Sequence, residues 1–396
     1  MDFRLEFNMQ HYNYIFTGSG LSALMTVYEM ILSGKFTTKT ILLLDENSKK
    51  INDRTWCFWD DKPSQFDTII FKKWNIALFA DENFRRNLDL ESYNYNMIRG
   101  LDFYNMVFEL ISKQENIRFV NQKVINFEEI GNLCVVKTES QNYTCNKIFN
   151  SIYYPEYIQN QAKYPLLSQH FIGWFIKSKE VIFNKDIVSF MDFSVEQKGN
   201  TRFMYVLPTS ATEALIEYTL FSAYLLSKEE YENEIQDYIK KLGISAYEIV
   251  DKEQGNIPMT SYKFWNHNTQ NVINIGSVGG WTKASTGFTF KKTIKKTKQL
   301  VQFLLKDSST DISKTDFRKF HKTDKFWLYD LLFLDVLYKR NDLGSKVFSS
   351  LFKKGNPTLI FKFLDEETTF FEDLKVMLKC PKGVFIKALF GRIFRF

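Results

Sequence analysis

A single acidic residue in the middle of an apolar strand is the strongest candidate for chemistry in this chain. In the stretch 214–219 (Ala-Leu-Ile-Glu-Tyr-Thr), the two-residue period of a strand places Leu215, Glu217 and Thr219 on one face. A carboxyl group held there is desolvated, so its pKa is expected to rise. A carboxylic acid that stays protonated at neutral pH can donate a proton even to an alkene. The alternative is a core-edge glutamate paired with a lysine or arginine.

Two further groups of carboxylates lie later in the chain. Glu253 lies in a stretch with glycine and proline, which predicts a loop, and a solvated loop residue is preferred there over a second acid. Residues 365–367 (Asp-Glu-Glu) lie in a charged helical stretch. A run of charge of this kind predicts a solvated face rather than a site.

A glycine-rich turn near the start predicts a dinucleotide site. The sequence Gly-Ser-Gly-Leu-Ser-Ala at 18–23 follows a β-rich run and opens a helix, and the next strand ends at Asp45. Such glycines let a pyrophosphate approach the backbone at a helix N-terminus, and an acid at this place can bond an unphosphorylated ribose. The alternative is an ordinary strand-to-helix turn. The expected cofactor contacts are Gly18, Ser19, Gly20, Leu21 and Asp45.

A second glycine-rich turn follows the apolar run 272–275. Its glycines can bring backbone N–H groups to phosphate, ribitol or flavin oxygens. The turn carries Gly-Ser where many flavin monooxygenases carry Gly-Asp, which argues against a monooxygenase. A simple strand-to-helix turn is the alternative, but two such turns in one chain favour one dinucleotide. The expected contacts are Gly276, Gly279, Gly280 and Thr282.

The loop 52–59 (Asn-Asp-Arg-Thr-Trp-Cys-Phe-Trp) comes shortly after the strand that ends at Asp45. Arg54 is expected to lie near a flavin or its pyrophosphate. A tryptophan-rich packing loop with a solvated Arg54 is the alternative.

These segments need an α/β fold. The chain start predicts strand, helix and strand at 12–17, 21–32 and 41–44, and the chain returns to this unit at 270–305. We therefore predict a discontinuous Rossmann-type FAD-binding domain with a second β-sheet substrate domain and a helical C-terminal region. The predicted FAD-binding domain comprises 1–60, 95–150 and 270–305, the substrate domain 61–94 and 151–269, and the helical C-terminal region 306–396. Further strands are predicted at 118–127, 133–137 and 143–149, and helices at 227–241 and 291–305.

The composition of the chain limits the classes of function that it can have. The chain has 396 residues, a net charge of +6 and 17% aromatic residues, and the last value is attributed mainly to a general compositional bias. No nucleic-acid module accompanies the positive charge, so no nucleic-acid partner is expected. Four cysteines and four histidines show no metal-ligand spacing, so no metal is expected and the thiols are predicted to be reduced.

The charge and the chain end suggest a membrane surface instead. Basic residues concentrate at 291–298 and at the C-terminus, and 382–396 has an apolar arc opposite lysine and arginine. A helix docked on the core is the alternative. No apolar run is long enough to span a bilayer, and no secretory signal is expected at the start. The predicted location is the cytoplasmic face of the cell membrane.

Four segments resemble the lycopene cyclase family: the turn at 18–23, the loop at 52–59, the strand around Glu217, and Gly-Gly-Trp-Thr-Lys-Ala-Ser-Thr-Gly-Phe-Thr-Phe at 279–290. The resemblance is greatest to bacterial flavoprotein cyclases of the β type. Trp281 is a departure, because such enzymes often have Met there. The run 365–367 is superficially similar to the acidic motif of the plant cyclases, but its charged helical context argues against that role.

The resemblance implies a reaction with no net redox change. Glu217 would protonate the acyclic ends of lycopene, and reduced FAD would stabilise the carbocation that closes the β-ring. NAD(P)H would serve only as reductant. The alternatives are an FAD-dependent monooxygenase or reductase acting on an isoprenoid lipid, and a flavin- or carotenoid-binding carrier.

Overall fold

The computed structural model describes residues 9–307 and 314–394. The described ranges leave out residues 1–8 of the predicted FAD-binding domain and residues 308–313 and 395–396 of the predicted C-terminal region. The strands are β1 Gln10–Thr17, β2 Ile41–Asp45, β3 Thr55–Asp60, β4 Ile70–Trp74, β5 Ile76–Ala80, β6 Arg85–Asp89, β7 Asn94–Arg99, β8 Ile117–Asn121, β9 Val124–Ile130, β10 Leu133–Thr138, β11 Asn142–Asn150, β12 Leu167–Ser178, β13 Ile187–Asp192, β14 Thr201–Pro208, β15 Glu213–Ser222, β16 Tyr247–Met259 and β17 Val272–Asn274. The helices are α1 Leu21–Ser33, α2 Gly100–Ile111, α3 Glu156–Gln159, α4 Lys228–Lys241, α5 Phe290–Asp307, α6 Lys325–Lys339, α7 Gly344–Lys354, α8 Pro357–Leu364, α9 Phe370–Met377 and α10 Lys382–Ile393.

The first sheet has the order β8-β2-β1-β11-β10-β9, with β17 paired to β11. Strands β8, β2, β1, β11 and β17 run parallel, and β9 to β11 form an antiparallel meander. Continuous apolar runs such as β2 suit a sheet covered on both faces. Helix α1 packs with α5 on one side, and it ends at Gly34, whose φ of 63° is the left-handed conformation that glycine favours. The Rossmann-type fold is confirmed, although the stretch 118–127 forms parts of two strands rather than one.

The second sheet has the order β16-β12-β15-β14-β13-β5-β6 and is antiparallel except at β5 and β13. One face packs on α4 through the apolar residues of that amphipathic helix. The other face packs on the C-terminal helices, through contacts such as Phe79 with Phe352 and Phe193 with Phe348. The C-terminal region therefore covers the second sheet on the side opposite α4.

A small sheet, β3-β7-β4, joins the two large ones. Strand β3 begins within the Arg/Trp-rich loop, so the fold carries this loop from the end of the first sheet toward the second. Trp59 stacks on Phe361, with ring centroids 4.7 Å apart, and is buried. The small sheet thus lies between the glycine turns and the strand that carries Glu217.

Helix α10 packs against α6, and Arg392 near its end is paired with the protein. The Arg392 guanidinium donates to both carboxylate oxygens of Asp335, at 2.6 and 2.7 Å, and to the carbonyl of Lys163. The sequence placed Arg392 on the polar arc of a helix that contacts the membrane, so this contact supports the alternative of a docked helix. Among the described residues, the helices are too short or too polar to cross a bilayer.

Candidate functional site

The glycine turn after β1 has the backbone that close approach of a ligand requires. Gly18 has a φ of 107°, and a Cβ built on it would overlap Ser151 Oγ, so only glycine fits. Helix α1 begins after Gly20 with no side-chain cap and no acidic residue in its first turn. Its first N–H groups and its positive dipole end are therefore available to an anion.

Asp45 is placed beside this turn but is engaged with the protein. Its Oδ2 accepts hydrogen bonds from the backbone N–H of Ser19 at 2.6 Å and from Ser19 Oγ at 3.0 Å. Lys49 Nζ lies 3.4 Å from the same oxygen. The role of Asp45 as a ribose acceptor stays a prediction, since these contacts already hold its carboxylate.

The second glycine turn meets the first. Gly276 has a φ of 66°, and a Cβ there would lie 2.5 Å from Ser22 Oγ of α1. This close approach brings both turns to the wall of one cleft, which Gly20, Leu21 and Gly276 line. A separate pocket of about 520 Å³ is lined by Gly280 and Thr282. Gly279 packs instead against the carbonyl of Asn274.

Arg54 and Trp56 line the same cleft as the two turns. Arg54 is largely exposed, and its nearest recorded carboxylate is that of Asp53, at 3.8 Å. Trp56 packs edge-on against Phe103, with ring centroids 5.5 Å apart. Arg54 therefore keeps its guanidinium free to meet an anionic ligand in the cleft.

Glu217 lines the same cleft. Its side chain is 8% exposed, and Thr219 Oγ1 donates to its Oε1 at 2.6 Å. Burial raises the pKa of Glu217 to about 8, and the neighbouring Glu253 adds to the rise. Among the described residues, no lysine, arginine or histidine forms an ion pair with Glu217, so the salt-bridged alternative is wrong.

Glu253 is the residue that sequence reasoning underestimated. It lies in the strand β16, not in a loop, and it lines the cleft beside Glu217. Thr55 Oγ1, from the Arg/Trp-rich loop, donates to Glu253 Oε2 at 2.7 Å. Burial raises the pKa of Glu253 to about 7. Gly173 could have pointed to this site, since a glycine inside a strand often marks a close approach.

The cleft has about 1920 Å³ of empty space, part of it open to solvent. The cavity volume that a ligand can occupy is about 500 Å³, which lies within the roughly 300–1,000 Å³ of a small-molecule site. Burial raises the pKa of the phenols of Tyr95 and Tyr205, which keeps them neutral. The aromatic side chains of the wall are Trp56, Tyr95, Tyr104, Tyr153, Phe171, Tyr205, Phe288 and Phe290.

Within the part of the chain that the structure describes, two buried polar atoms at the cleft have no hydrogen-bond partner. These are Gln169 Oε1 and Thr286 Oγ1, and both residues line the cleft. Gly287 lies against Gln169, where a Cβ would overlap Oε1. Buried polar atoms normally have partners, so these atoms indicate a ligand with polar edges. Neither residue was identified as a candidate from the sequence.

The acidic run at 365–367 is not a solvated face, and this prediction was wrong. Asp365 pairs with Lys291 at 2.5 Å, and Glu366 pairs with Lys283 at 3.2 Å and Lys292 at 2.8 Å. These lysines come from α5 and from the turn before it, far away in the sequence. The basic stretch 291–298 therefore has partners within the protein. The run does not line the cleft, so it is a structural cluster.

Comparison with models of known families shows the family to which the chain belongs. The family model described as "Lycopene cyclase protein" matches residues 14–389. The chain belongs to the lycopene cyclase family. Among the described residues of this family member, no group of three acidic, histidine or cysteine side chains is arranged to hold a metal. A comparison with curated proteins found no significant match.

Solved structures confirm the flavoprotein fold. A geranylgeranyl bacteriochlorophyll reductase-like protein from Thermoplasma acidophilum has a TM-score of 0.68 at 12% identity, over 97% of this chain and 100% of that one. A flavoprotein/dehydrogenase from Cytophaga hutchinsonii has a TM-score of 0.63 at 12% identity, over 96% and 100%. CtdE, solved in complex with FAD, has a TM-score of 0.53 at 10% identity, over 91% and 100%.

Proposed function

We propose that this protein is a lycopene β-cyclase that converts the acyclic ends of lycopene to β-rings without net redox change. The observation that carries the proposal is Glu217, a buried carboxyl in an aromatic-walled cleft that has no cationic partner among the described residues. Membership of the lycopene cyclase family supports a carotenoid as the substrate.

FAD is the cofactor that fits the cleft best. The uncapped start of α1 and the turn at Gly276 would hold its pyrophosphate and ribitol. Arg54 would lie near its phosphate or ring, and Gln169 Oε1 and Thr286 Oγ1 would bond its polar edges. Bound reduced FAD would supply negative charge beside a developing cation.

Glu217 performs the first step in this proposal. Its proton passes to the terminal alkene, where a new C–H bond forms from the alkene's electron pair. The resulting cation takes the electron pair of a second alkene to close the six-membered ring. Loss of one proton from the ring then gives the β-ring, so protons balance over the turnover. The faces of Tyr205, Phe288 and Trp56 favour a cation, and their bulk excludes water.

Two partners complete the proposal. NAD(P)H would reduce the flavin and would not be consumed in each turnover. The membrane would supply lycopene, because α9 and the end of α10 each expose apolar side chains, with Phe371 and Phe394 both 76% exposed. The protein would therefore work on the cytoplasmic face of the cell membrane.

Pigment analysis of cells that accumulate lycopene tests this function. Expression of the protein should convert lycopene to γ-carotene or β-carotene, separated by chromatography. Unchanged lycopene with folded, FAD-containing protein would contradict the proposal. Stoichiometric NAD(P)H oxidation by purified protein with lycopene would favour a redox enzyme acting on an isoprenoid lipid instead.

A further inference from the structure

Glu217 and Glu253 lie in one row across the second sheet. In the order β15-β12-β16, Glu217 pairs with Gly173, and Gly173 pairs with Glu253. Residues paired across neighbouring strands point to the same face of a sheet. The two glutamates therefore flank Gly173 on the face that lines the cleft.

Gly173 is what allows the two carboxyl groups to meet. Two strand spacings separate the backbones of β15 and β16 by about 10 Å, which the two side chains can bridge only by leaning over β12. A Cβ at Gly173 would lie 3.4 Å from Glu217 Cβ and 3.3 Å from Glu253 Cγ. The missing side chain leaves the space in which the two carboxyl groups approach each other, and each of them shifts the pKa of the other.

A threonine donates to each carboxyl group from the outer side. Thr219 bonds Glu217 Oε1, and Thr55 bonds Glu253 Oε2. The contact between the glutamates themselves needs a hydrogen between two acceptors. Two carboxyl groups can bond only when one of them carries a proton.

Among the described residues, no lysine, arginine or histidine forms an ion pair with these two glutamates, although Lys49 and Arg54 line the same cleft. The titratable groups that face it are Cys57 of β3, Tyr95 of β7, Tyr205 of β14 and Asp251 of β16. The thiol and the phenols are neutral, and Asp251 is exposed on its own strand. Among residues 9–307 and 314–394, neither carboxylate has a cationic nitrogen within 4.0 Å. Two like charges this close, without a counter-ion, do not ionise together.

We propose that Glu217 and Glu253 form a carboxyl dyad over Gly173 that shares one proton, and that Glu253 is the positioning residue that keeps Glu217 protonated for the reaction. This inference rests on the proposed function for the meaning of that proton. The dyad loses one proton to the alkene and regains one from the ring, so each turnover restores the starting state.

The pH dependence of cyclisation in Glu253→Gln tests the dyad. The alkaline limit is the pH above which the cyclisation rate falls. Removal of the negative neighbour should lower this limit by about one pH unit or more, whereas the rate at lower pH should change less. The assay measures lycopene loss from detergent micelles by purified protein with reduced FAD. Glu248→Gln, an exposed acid on the same strand β16, is the matched control and should keep the wild-type profile. A uniform loss at every pH, or no change, would contradict the role of Glu253.

An infrared titration gives a readout that does not depend on activity. The FAD-loaded protein should show the carbonyl stretch of a protonated carboxyl that disappears with a high midpoint. Glu217→Gln should weaken this band and lower its midpoint, because Glu253 alone remains to carry the proton. Glu253→Gln should lower the midpoint, and Glu248→Gln should leave it unchanged. An identical midpoint in Glu253→Gln would overturn the dyad. If the dyad titrates as expected while lycopene is untouched, the proposed function fails and the shared proton stands.

Gly173→Ala provides a second variant. Its methyl group would stand between the two side chains, with Leu215 Cδ1 at 2.8 Å as the contact that must move. The alkaline limit should shift in the same direction as in Glu253→Gln. A wild-type profile in this variant would contradict the requirement for glycine.

Discussion

Two clusters of buried carboxylates in this protein have opposite chemistry. Glu366 lies between Lys283 and Lys292, and although burial opposes its ionisation, these lysines lower its pKa to about 2. Glu217 has no such partner, and burial raises its pKa to about 8. One cluster is an ion-pair network that attaches the C-terminal helices, and the other is a proton store at a cleft. The difference shows that counter-charges, rather than burial alone, decide what a buried acid does.

Asp365 shows the balance between these effects. It is buried and has its closest ion pair with Lys291, yet burial outweighs the lysine and raises its pKa to about 6. Glu366, with two lysines, remains fully ionised at neutral pH. The balance between burial and the charge of nearby lysines therefore sets the pKa of each of these carboxyl groups.

Removal of a cation from the paired cluster should have the largest effect on stability. Lys283→Met leaves Asp330 and Glu366 buried without their shared ammonium, which lies 3.0 Å from Asp330 and 3.2 Å from Glu366. The free energy of unfolding should fall by about 3–5 kcal/mol in denaturant titrations. Lys137→Met, which removes an exposed pair with Glu128, is the control and should cost less than about 1 kcal/mol. Equal losses in the two variants would contradict the structural role of the cluster.

The pH dependence of stability should have opposite signs for the two clusters. The folded-state pKa of Glu217 rises from 4.5 to about 8, so the folded protein binds more protons in this window, and its stability should fall as pH rises through it. The pKa of Glu366 falls from 4.5 to about 2, so its contribution is present above 4.5 and lost toward acid.

Denaturant titrations at pH 4.5 and at about pH 8, the two ends of the window for Glu217, measure this effect. Glu217→Gln cannot titrate and should show a flatter dependence of the unfolding free energy on pH than the wild type. An unchanged slope would mean that Glu217 is already ionised in the folded state.

A substitution with a smaller expected effect tests the hydrogen bond that Glu217 accepts. Thr219→Val removes the hydroxyl that donates to Glu217 Oε1, and this hydrogen bond lowers the pKa of the carboxyl. The alkaline limit of cyclisation should therefore move up, opposite to the shift in Glu253→Gln. The rate at neutral pH should change by no more than about tenfold, the effect of one hydrogen bond. A downward shift would contradict the assignment of Thr219 as a donor to the ionised form.

The sequence predicted what depends on local pattern. The turn at 18–23 and the apolar strand β2 identified the Rossmann-type unit, because each signal lies within a few residues. Glu217 could be identified because the alternation of β15 is strict. These are features that a short stretch of chain determines by itself.

The remaining features depend on contacts between distant segments. Glu253 was assigned to a loop because Gly255 and Pro258 normally break strands, whereas pairing with β12 holds this stretch extended. The run 365–367 was assigned to the surface because its lysine partners lie on α5. Only the tertiary fold brings the opposite charges, or the second carboxyl, to these acids.

The most direct test of the account is the rate at which purified, FAD-loaded Glu217→Gln cyclises lycopene under reducing conditions. The rate should fall by about 10²–10⁴-fold, because the amide cannot donate the proton, while FAD absorbance and folding remain as in the wild type. Glu213→Gln, an exposed acid at the start of the same strand, should retain the wild-type rate. Full activity in Glu217→Gln would contradict the central claim that this buried carboxyl is the acid.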